Sequence, residues 1–537
     1  MSDETNGPSF DFLHREYSRR DVLKGATVAG AALGVGPLLA ACGGAGTSAS
    51  PSASVAASPK MGGVLRAGIT GGSSSDTYDA LNAVTQTDWA RIMQVYQPLF
   101  EFDQNANSIP CLAEEMTPNA DATVWTIRLR AGVTWHDGKP LTPEDVMYTF
   151  RRILDPKNPL PGALIIAPVD KANMKKIDAQ TLQVGCTSPF SNFPEAVTTI
   201  GYVLIVPDGY DPKAPPNGTG PFMADTFTPG QQTTLKRFPN YWQSEQPYLD
   251  KVVITNYPDE TAQTNALASG QVDVVNTLST DILSALTSQG KKTLISPGGG
   301  WTPFTMRVDI PPFDDVRVRQ AMRLIVDRQQ MLELVFAGNG SIGNDVFSIW
   351  DPDYNTQLPQ RTQDIEQAKS LLKAAGQEGL TVELRTADVA QGVVKASQVF
   401  AQQAKAAGVT VNLVKTPVGD YYGTSYLKYP FAMDYWWYTF YLPQAAETII
   451  PGAVYNETHW NDPRTNSLYE QALATVDAAK RTEIVHELQK IDYDEGGYII
   501  PYFPPVIDGY APNVNGLVLS KVGSPLNQYA FKNLWLS

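Results

Sequence analysis

Leu380-Thr381-Val382-Glu383-Leu384-Arg385-Thr386 and Val409-Thr410-Val411-Asn412-Leu413-Val414 flank a segment rich in Ala, Gln and Val over 391–407. The flanks are short and rich in β-branched residues, whereas the middle is long enough for a helix, so the pattern predicts strand, helix, strand. Strands joined by such a crossover run parallel, with a right-handed connection. The region is therefore read as an α/β lobe. Lobes of this kind bind ligands at strand ends, in a cleft that faces a partner lobe.

Upstream, Asp364-Ile365-Glu366-Gln367 opens a helix with Ile365, Ala368, Leu371, Leu372 and Ala375 inward and Gly376 as its stop. Before it stands Pro312-Phe313-Asp314-Asp315-Val316-Arg317-Val318-Arg319-Gln320-Ala321-Met322-Arg323-Leu324-Ile325-Val326-Asp327-Arg328. Val318, Ala321, Met322 and Ile325, then Leu332 and Val335, trace one apolar helical face. Its arginines are expected to pair with nearby Asp. Gly338-Asn339-Gly340-Ser341-Ile342-Gly343 has GxGxxG spacing but closes a helix instead of opening one, so it is read as a helix cap and loop, not a dinucleotide site.

Toward the N-terminus, a strand over 63–69 ends in a Gly/Ser-rich loop over 71–75. A second strand over 124–130 alternates Trp125, Ile127 and Leu129 with polar residues and runs into a hairpin turn at Asp137-Gly138. Thr142-Pro143-Glu144-Asp145 then caps a helix that buries Val146, Met147, Phe150 and Ile153. His136 is read as a polar hairpin residue, not a catalytic one.

The chain is too long for one core at 537 residues, since a single core rarely grows past ~250–300 residues. Its formal charge of −14 argues against nucleic acid, whose phosphates are bound by Lys and Arg. No CxxC or HExxH spacing is present, so no metal or other cofactor is expected. Near the start, Arg19 and Arg20 precede a weakly apolar run that ends in Leu39-Ala40-Ala41-Cys42-Gly43. The paired arginines have the arrangement of a twin-arginine export signal. The run, broken by Pro37, is too short for a permanent span, which needs ~20 strongly apolar residues. Its end resembles a bacterial lipobox, with Cys42 as the lipid-bearing residue. Residues 43–60 are almost all small or Pro, and make a flexible leash. Of the other two cysteines, Cys111 and Cys186, the sequence allows either a disulfide or two buried thiols.

From Asn217-Gly218-Thr219-Gly220-Pro221-Phe222, through Pro229-Gly230 and Tyr248-Leu249-Asp250-Lys251-Val252-Val253-Ile254, to Gly270-Gln271-Val272-Asp273, the series resembles the extracytoplasmic substrate-binding proteins of ABC importers. These are the family 5 receptors, which include oligopeptide, dipeptide and nickel binders. The resemblance continues through 312–328 and Gly497-Tyr498-Ile499-Ile500-Pro501-Tyr502-Phe503. It implies a two-lobed α/β periplasmic-binding-protein fold, of the large peptide-binding class, with an extra inserted domain. The implied partition is a signal over 1–42, a linker over 43–60, a first lobe from 61–98, 206–298 and 508–537, an extra domain over 99–205 and a third unit over 299–507.

Phe431-Ala432-Met433-Asp434-Tyr435-Trp436-Trp437-Tyr438-Thr439-Phe440-Tyr441-Leu442-Pro443 carries seven aromatics among thirteen residues. The resembled family has a ligand-wall motif here, a Trp followed three residues later by an Asp that holds a peptide's ammonium. Trp436 matches, but Thr439 stands at the Asp position, so an acid is expected from elsewhere, with Asp434 the candidate, or the ligand has no amine. Trp436, Trp437, Tyr438 and Tyr502 are the candidate ligand contacts. By resemblance, the chain is a monomeric, lipid-tethered receptor that delivers an oligopeptide, or as the second reading an oligosaccharide, to a permease and its ATPase, and it is not an enzyme. A secreted hydrolase is the rival, disfavoured because the chain has neither a nucleophile elbow nor a His-rich zinc motif.

Overall fold

The computed structural model describes residues 58–537 apart from 84, 159, 199 and 200. The export signal, with Arg19 and Arg20, and Cys42 lie outside the described residues, as does most of the leash.

Val64–Thr70 lies inside a seven-stranded sheet, with Leu65, Ala67 and Ile69 wholly buried. It pairs in parallel with Lys251–Tyr257 and Val274–Val275. The hairpin Phe222–Thr228 and Gln232–Arg237 extends one side, while Val506–Tyr510 and Lys292–Ser296 extend the other. A second sheet has five strands in the order Thr410–Lys415, Thr381–Thr386, Phe431–Met433, Phe304–Met306 and Tyr498–Ile499. Its first two strands are parallel and joined through the helix Val393–Ala404, the predicted strand–helix–strand unit. A third, antiparallel sheet joins Ala113–Pro118, Val124–Leu129, Thr181–Cys186 and Val169–Lys176. Against it packs the helix Pro143–Ile153, where the Asp145 carboxylate accepts from Thr142 N at 2.8 Å and Thr142 Oγ1 at 2.9 Å, the expected cap.

The result is a two-lobed α/β fold. The chain passes between the first and second sheets twice, from Ser296 to Phe304 and from Ile499 to Val506. The lobes pack around separate cores. One hydrophobic cluster joins the seven-stranded and antiparallel sheets, and another fills the five-stranded sheet and its helices.

The arginine-rich stretch forms two helices, Val316–Leu324 and Arg328–Phe336, divided where Asp327 caps the second. The predicted apolar face is buried throughout. Two arginines find the expected acids, Arg317 on Asp315 and Arg328 on Asp345 at 2.7 Å. Arg319 and Arg323 do not. They donate to main-chain carbonyls at the end of the helix Ala478–Glu495, Arg319 to Glu495 O at 2.7 Å and Arg323 to Gly496 O at 2.5 Å and Tyr498 O at 3.0 Å. The last carbonyls of a helix lack intrahelical partners and carry the negative end of its dipole, so a buried cation serves them better than a surface acid. Burial pulls the Arg323 pKa down to about 9, which leaves it charged at neutral pH.

Ala337 and Gly338 close the second helix with φ of 51° and 75°, and the strand Ser341–Ile342 follows, so the GxGxxG stretch is a cap and loop. His136 is half-buried, with Nε2 3.0 Å from Gly220 O and Nδ1 accepting from Gly218 N at 3.3 Å. Burial lowers its pKa to about 4, so the ring is neutral and ties the hairpin to the 217–220 segment. No disulfide joins Cys111 and Cys186. Both are free: Cys111 is buried beside Gln97 Nε2, and Cys186 ends a strand opposite Val169.

Candidate functional site

A cavity of about 1430 Å³ opens between the lobes. It exceeds the ~300–1,000 Å³ typical of small-molecule pockets. One wall comes from the first lobe. It includes the 71–75 loop, Thr85 and Gln86 at the start of the helix Gln86–Val95, residues 259–261 at the start of the helix Glu260–Ala268, and Thr277 with 279–281. The opposite wall is Trp301, Thr302, Phe336, the 388–392 loop, and Tyr435, Trp436 and Trp437. Residues 504–507, on one of the two interlobe passages, complete it.

The aromatic stretch follows Phe431–Met433 as extended chain until the helix Tyr441–Thr448. Trp436 exchanges main-chain hydrogen bonds with Trp301, and their rings stack at 5.8 Å and 15°. Trp301 stacks in turn on Phe347 at 5.3 Å. Alternation along extended chain turns successive side chains to opposite faces. Tyr435 and Trp437 are accordingly half-buried and set perpendicular at 5.9 Å, and the edge of Trp437 meets Trp89 of the first lobe at 5.1 Å.

Of the predicted contacts, Trp436 and Trp437 reach the cavity. Four do not. Tyr438 is buried with Phe102 and Phe440. Thr439 donates to Phe440 O at 3.1 Å. Asp434 is 1% exposed and accepts from Tyr422 OH at 2.5 Å, so it does not supply the missing wall acid. Tyr502 is wholly buried against Phe336, although Thr302 beside it does line the cavity. Tyr435 was not predicted, yet the period-2 rule that governs strands marks it as Trp437's companion.

The first-lobe wall is polar, and chain order gives no sign of it. Thr70 N donates to Asn276 Oδ1 at 3.2 Å, and Gln263 Nε2 donates to the same atom at 2.6 Å and to Gly68 O at 2.8 Å. Asn276 Nδ2 then donates to Gln86 Oε1, which also accepts from Thr277 Oγ1 at 3.2 Å and Tyr529 OH at 3.3 Å. Burial raises the Tyr529 phenol pKa far above neutrality, which keeps it a donor. The charged lining groups are Asp259, Glu260, Asp281, Asp388 and Lys395. Asp259 is engaged as the helix cap of Ala262 N, Glu260 accepts from Ser279 N at 2.6 Å, and Asp388 pairs with Lys415 at 2.8 Å. Among the described residues, no group of three or more His, Cys, Asp or Glu is placed to hold a metal, and no helix is long and apolar enough to cross a membrane.

Residues 107–449 match the bacterial extracellular solute-binding proteins, family 5, over more than half of the chain. The chain belongs to this family. It is the solute-binding component that works with an ABC permease. Residues 16–36 match the twin-arginine translocation signal, which places the protein outside the cytoplasm. The chain is 24% identical over 440 residues to the glutathione-binding protein GsiB of Pectobacterium atrosepticum, covering 78% of this chain and 84% of that one. It is 29% identical over 321 residues to heme-binding protein A of Haemophilus influenzae, covering 53% and 57%. In structure it is similar to the ABC transporter substrate-binding protein CtaP of Listeria monocytogenes, with TM-score 0.78, 22% identity and coverage of 89% and 100%. The oligopeptide-binding protein AppA of Bacillus subtilis, solved with a nonapeptide, superposes with TM-score 0.70 at 20% identity, covering 89% and 100%.

Proposed function

We propose that this receptor captures an oligopeptide in the interlobe cavity and closes on it by hinge motion at the two passages, 297–303 and 500–505. The observation that carries the reading is a cavity of about 1430 Å³ walled by both lobes, so that a ligand bridging the walls favours the closed arrangement by its differential affinity. Asp259, Glu260 and Asp281, on the first-lobe wall, offer carboxylates to an ammonium group in place of the acid absent at Thr439. An oligosaccharide is the second reading. It is favoured by the uncharged wall of Trp301, Trp436, Trp437 and Tyr435, since indole faces pack on sugar C–H faces.

The proposal includes the partition into a first lobe, an inserted domain over 99–205 and a third unit, with the receptor acting as a monomer held to the membrane by an acylated Cys42. One methylene contributes ~0.8 kcal/mol, so stable anchoring takes more than one acyl chain. The test is a thermal-shift titration with tetraalanine and cellotetraose, followed by mass spectrometry of the probes. A bound probe raises the melting temperature by mass action and leaves unchanged. Cleavage of either probe overturns the receptor reading in favour of a hydrolase.

A further inference from the structure

The Gln86 carboxamide lies at the cavity wall with its orientation determined by Asn276, Thr277 and Tyr529, of which Asn276 and Tyr529 do not line the cavity themselves. A main-chain N–H can only donate, so the Asn276 atom that receives Thr70 N is its oxygen, Oδ1. Gln263, wholly buried, confirms that orientation, because its Nε2 is pinned by Gly68 O and donates to the same oxygen. The other end of Asn276 is then NH2. It faces Gln86 and fixes the Gln86 atom it meets as Oε1, where the Thr277 and Tyr529 hydroxyls also converge. Gln86 Nε2 is the other end of the same planar carboxamide, turned away from these three groups. Gln86 is half-buried and lines the cavity, so the solute is what that NH2 group can address.

We infer that Gln86 is a fixed hydrogen-bond donor to an acceptor oxygen of the captured solute, a peptide carbonyl or a sugar hydroxyl, and that Asn276 is the positioning residue that keeps the donor end forward. The inference rests on the cavity's being the solute site. It adds a polarity requirement that the site's size and aromatic wall do not impose. Asn276 is wholly buried and Thr277 holds φ at 52°, a left-handed conformation that β-branched residues rarely adopt, so the wall keeps a costly backbone geometry where the amide chain needs it.

Gln86→Glu is the decisive variant. A carboxylate of the same size still accepts from Asn276, Thr277 and Tyr529, but it turns a lone pair toward the solute in place of NH2. Asn276→Asp acts one step back. It still accepts from Thr70 N and Gln263, but it no longer donates, so Gln86 reverses to donate inward and presents its oxygen to the cavity. Wild type and both variants are titrated with tetraalanine and cellotetraose. For a probe that binds wild type, each variant is expected to raise Kd at least tenfold with the urea unfolding midpoint of Gln86→Glu unchanged. A Kd within twofold of wild type for Gln86→Glu overturns the donor role, and the same result for Asn276→Asp overturns its positioning role.

Selective 15N labelling of glutamine provides a readout that needs no solute. The Gln86 side-chain signal, identified by its absence in Gln86→Glu, is expected to exchange with solvent much faster than that of buried Gln263, and to become protected in Asn276→Asp. Protection of the wild-type Gln86 NH2, or no change in Asn276→Asp, overturns the inference. If neither probe binds wild type, the peptide and oligosaccharide readings fail while the amide measurement still decides the orientation of Gln86.

Discussion

The two walls of the cavity are built on opposite principles. The second-lobe wall is built on stacked rings, Trp301 and Trp436 with Phe347 behind them, and carries Trp437 and Tyr435 perpendicular to each other. The first-lobe wall is a chain of amides and hydroxyls, Gln263, Asn276, Thr277 and Gln86, held by main-chain groups. Rings supply contact area with little directional demand, whereas fixed amides demand an acceptor at one place. On the proposed reading, one wall tolerates variation in the solute and the other restricts it. That division suits a receptor whose closure must depend on something both walls can hold.

The largest effect is expected on the ring side. Trp436→Ala removes a ring packed against Trp301 and Tyr455, and with it ~3–5 kcal/mol of stability by analogy with other large-to-small core changes, read by urea denaturation. A loss below ~1 kcal/mol would mean that the stack is contact surface and not scaffold, which would erase the contrast between buried Trp436 and half-buried Trp437.

Next comes pH, which separates the walls by their buried acids. Behind the first-lobe wall, Asp508 accepts from Leu526 N at 2.8 Å, and burial pushes its pKa up from 3.8 to about 7. Between these values the folded state binds more protons than the unfolded one, so this group's contribution falls as pH rises from ~4 to ~7 and is level above. Its full cost at neutral pH is at most on the order of 4 kcal/mol. Asp508→Asn should therefore stabilise the protein at pH 7 and make the decline between pH 4 and 7 shallower. Asp351 and Asp492, near the ring wall, are also raised to about 7 by burial and leave a residual decline. Parallel melting curves from pH 4 to 8 check this, and identical slopes would contradict it.

A smaller effect distinguishes contact from scaffold. Trp437→Ala should weaken solute binding by about 2 kcal/mol, as for an aromatic hot spot, with less loss of stability than Trp436→Ala. Calorimetric titration beside urea melts measures both. The smallest effect lies behind Phe336. Ala337 ends its helix with φ 51°, so Ala337→Gly should add about 1 kcal/mol of stability without altering affinity.

The ring wall was legible because seven aromatics sit within thirteen residues, and the strand–helix–strand unit was legible because its residues are contiguous. The density of aromatics does not say which rings face the cavity: along the extended chain Tyr435 and Trp437 are half-buried together, whereas Tyr438 lies in the core. The amide wall could not be read from chain order. Gln86 and Asn276 are 190 residues apart, Tyr529 lies 443 residues beyond Gln86, and no residue among them is unusual in composition. The partners of Arg319 and Arg323 are hidden from chain order for a related reason, since a helix end more than 160 residues away competes with nearby acids only once the fold exists.

The most direct test of the account is native mass spectrometry of the receptor and its Trp437→Ala variant after incubation with peptide and oligosaccharide libraries. The account predicts a retained solute mass on the wild type that is lost or greatly reduced on the variant. Equal retention by both proteins, or none by the wild type, would contradict the claim that solute is held between these two walls.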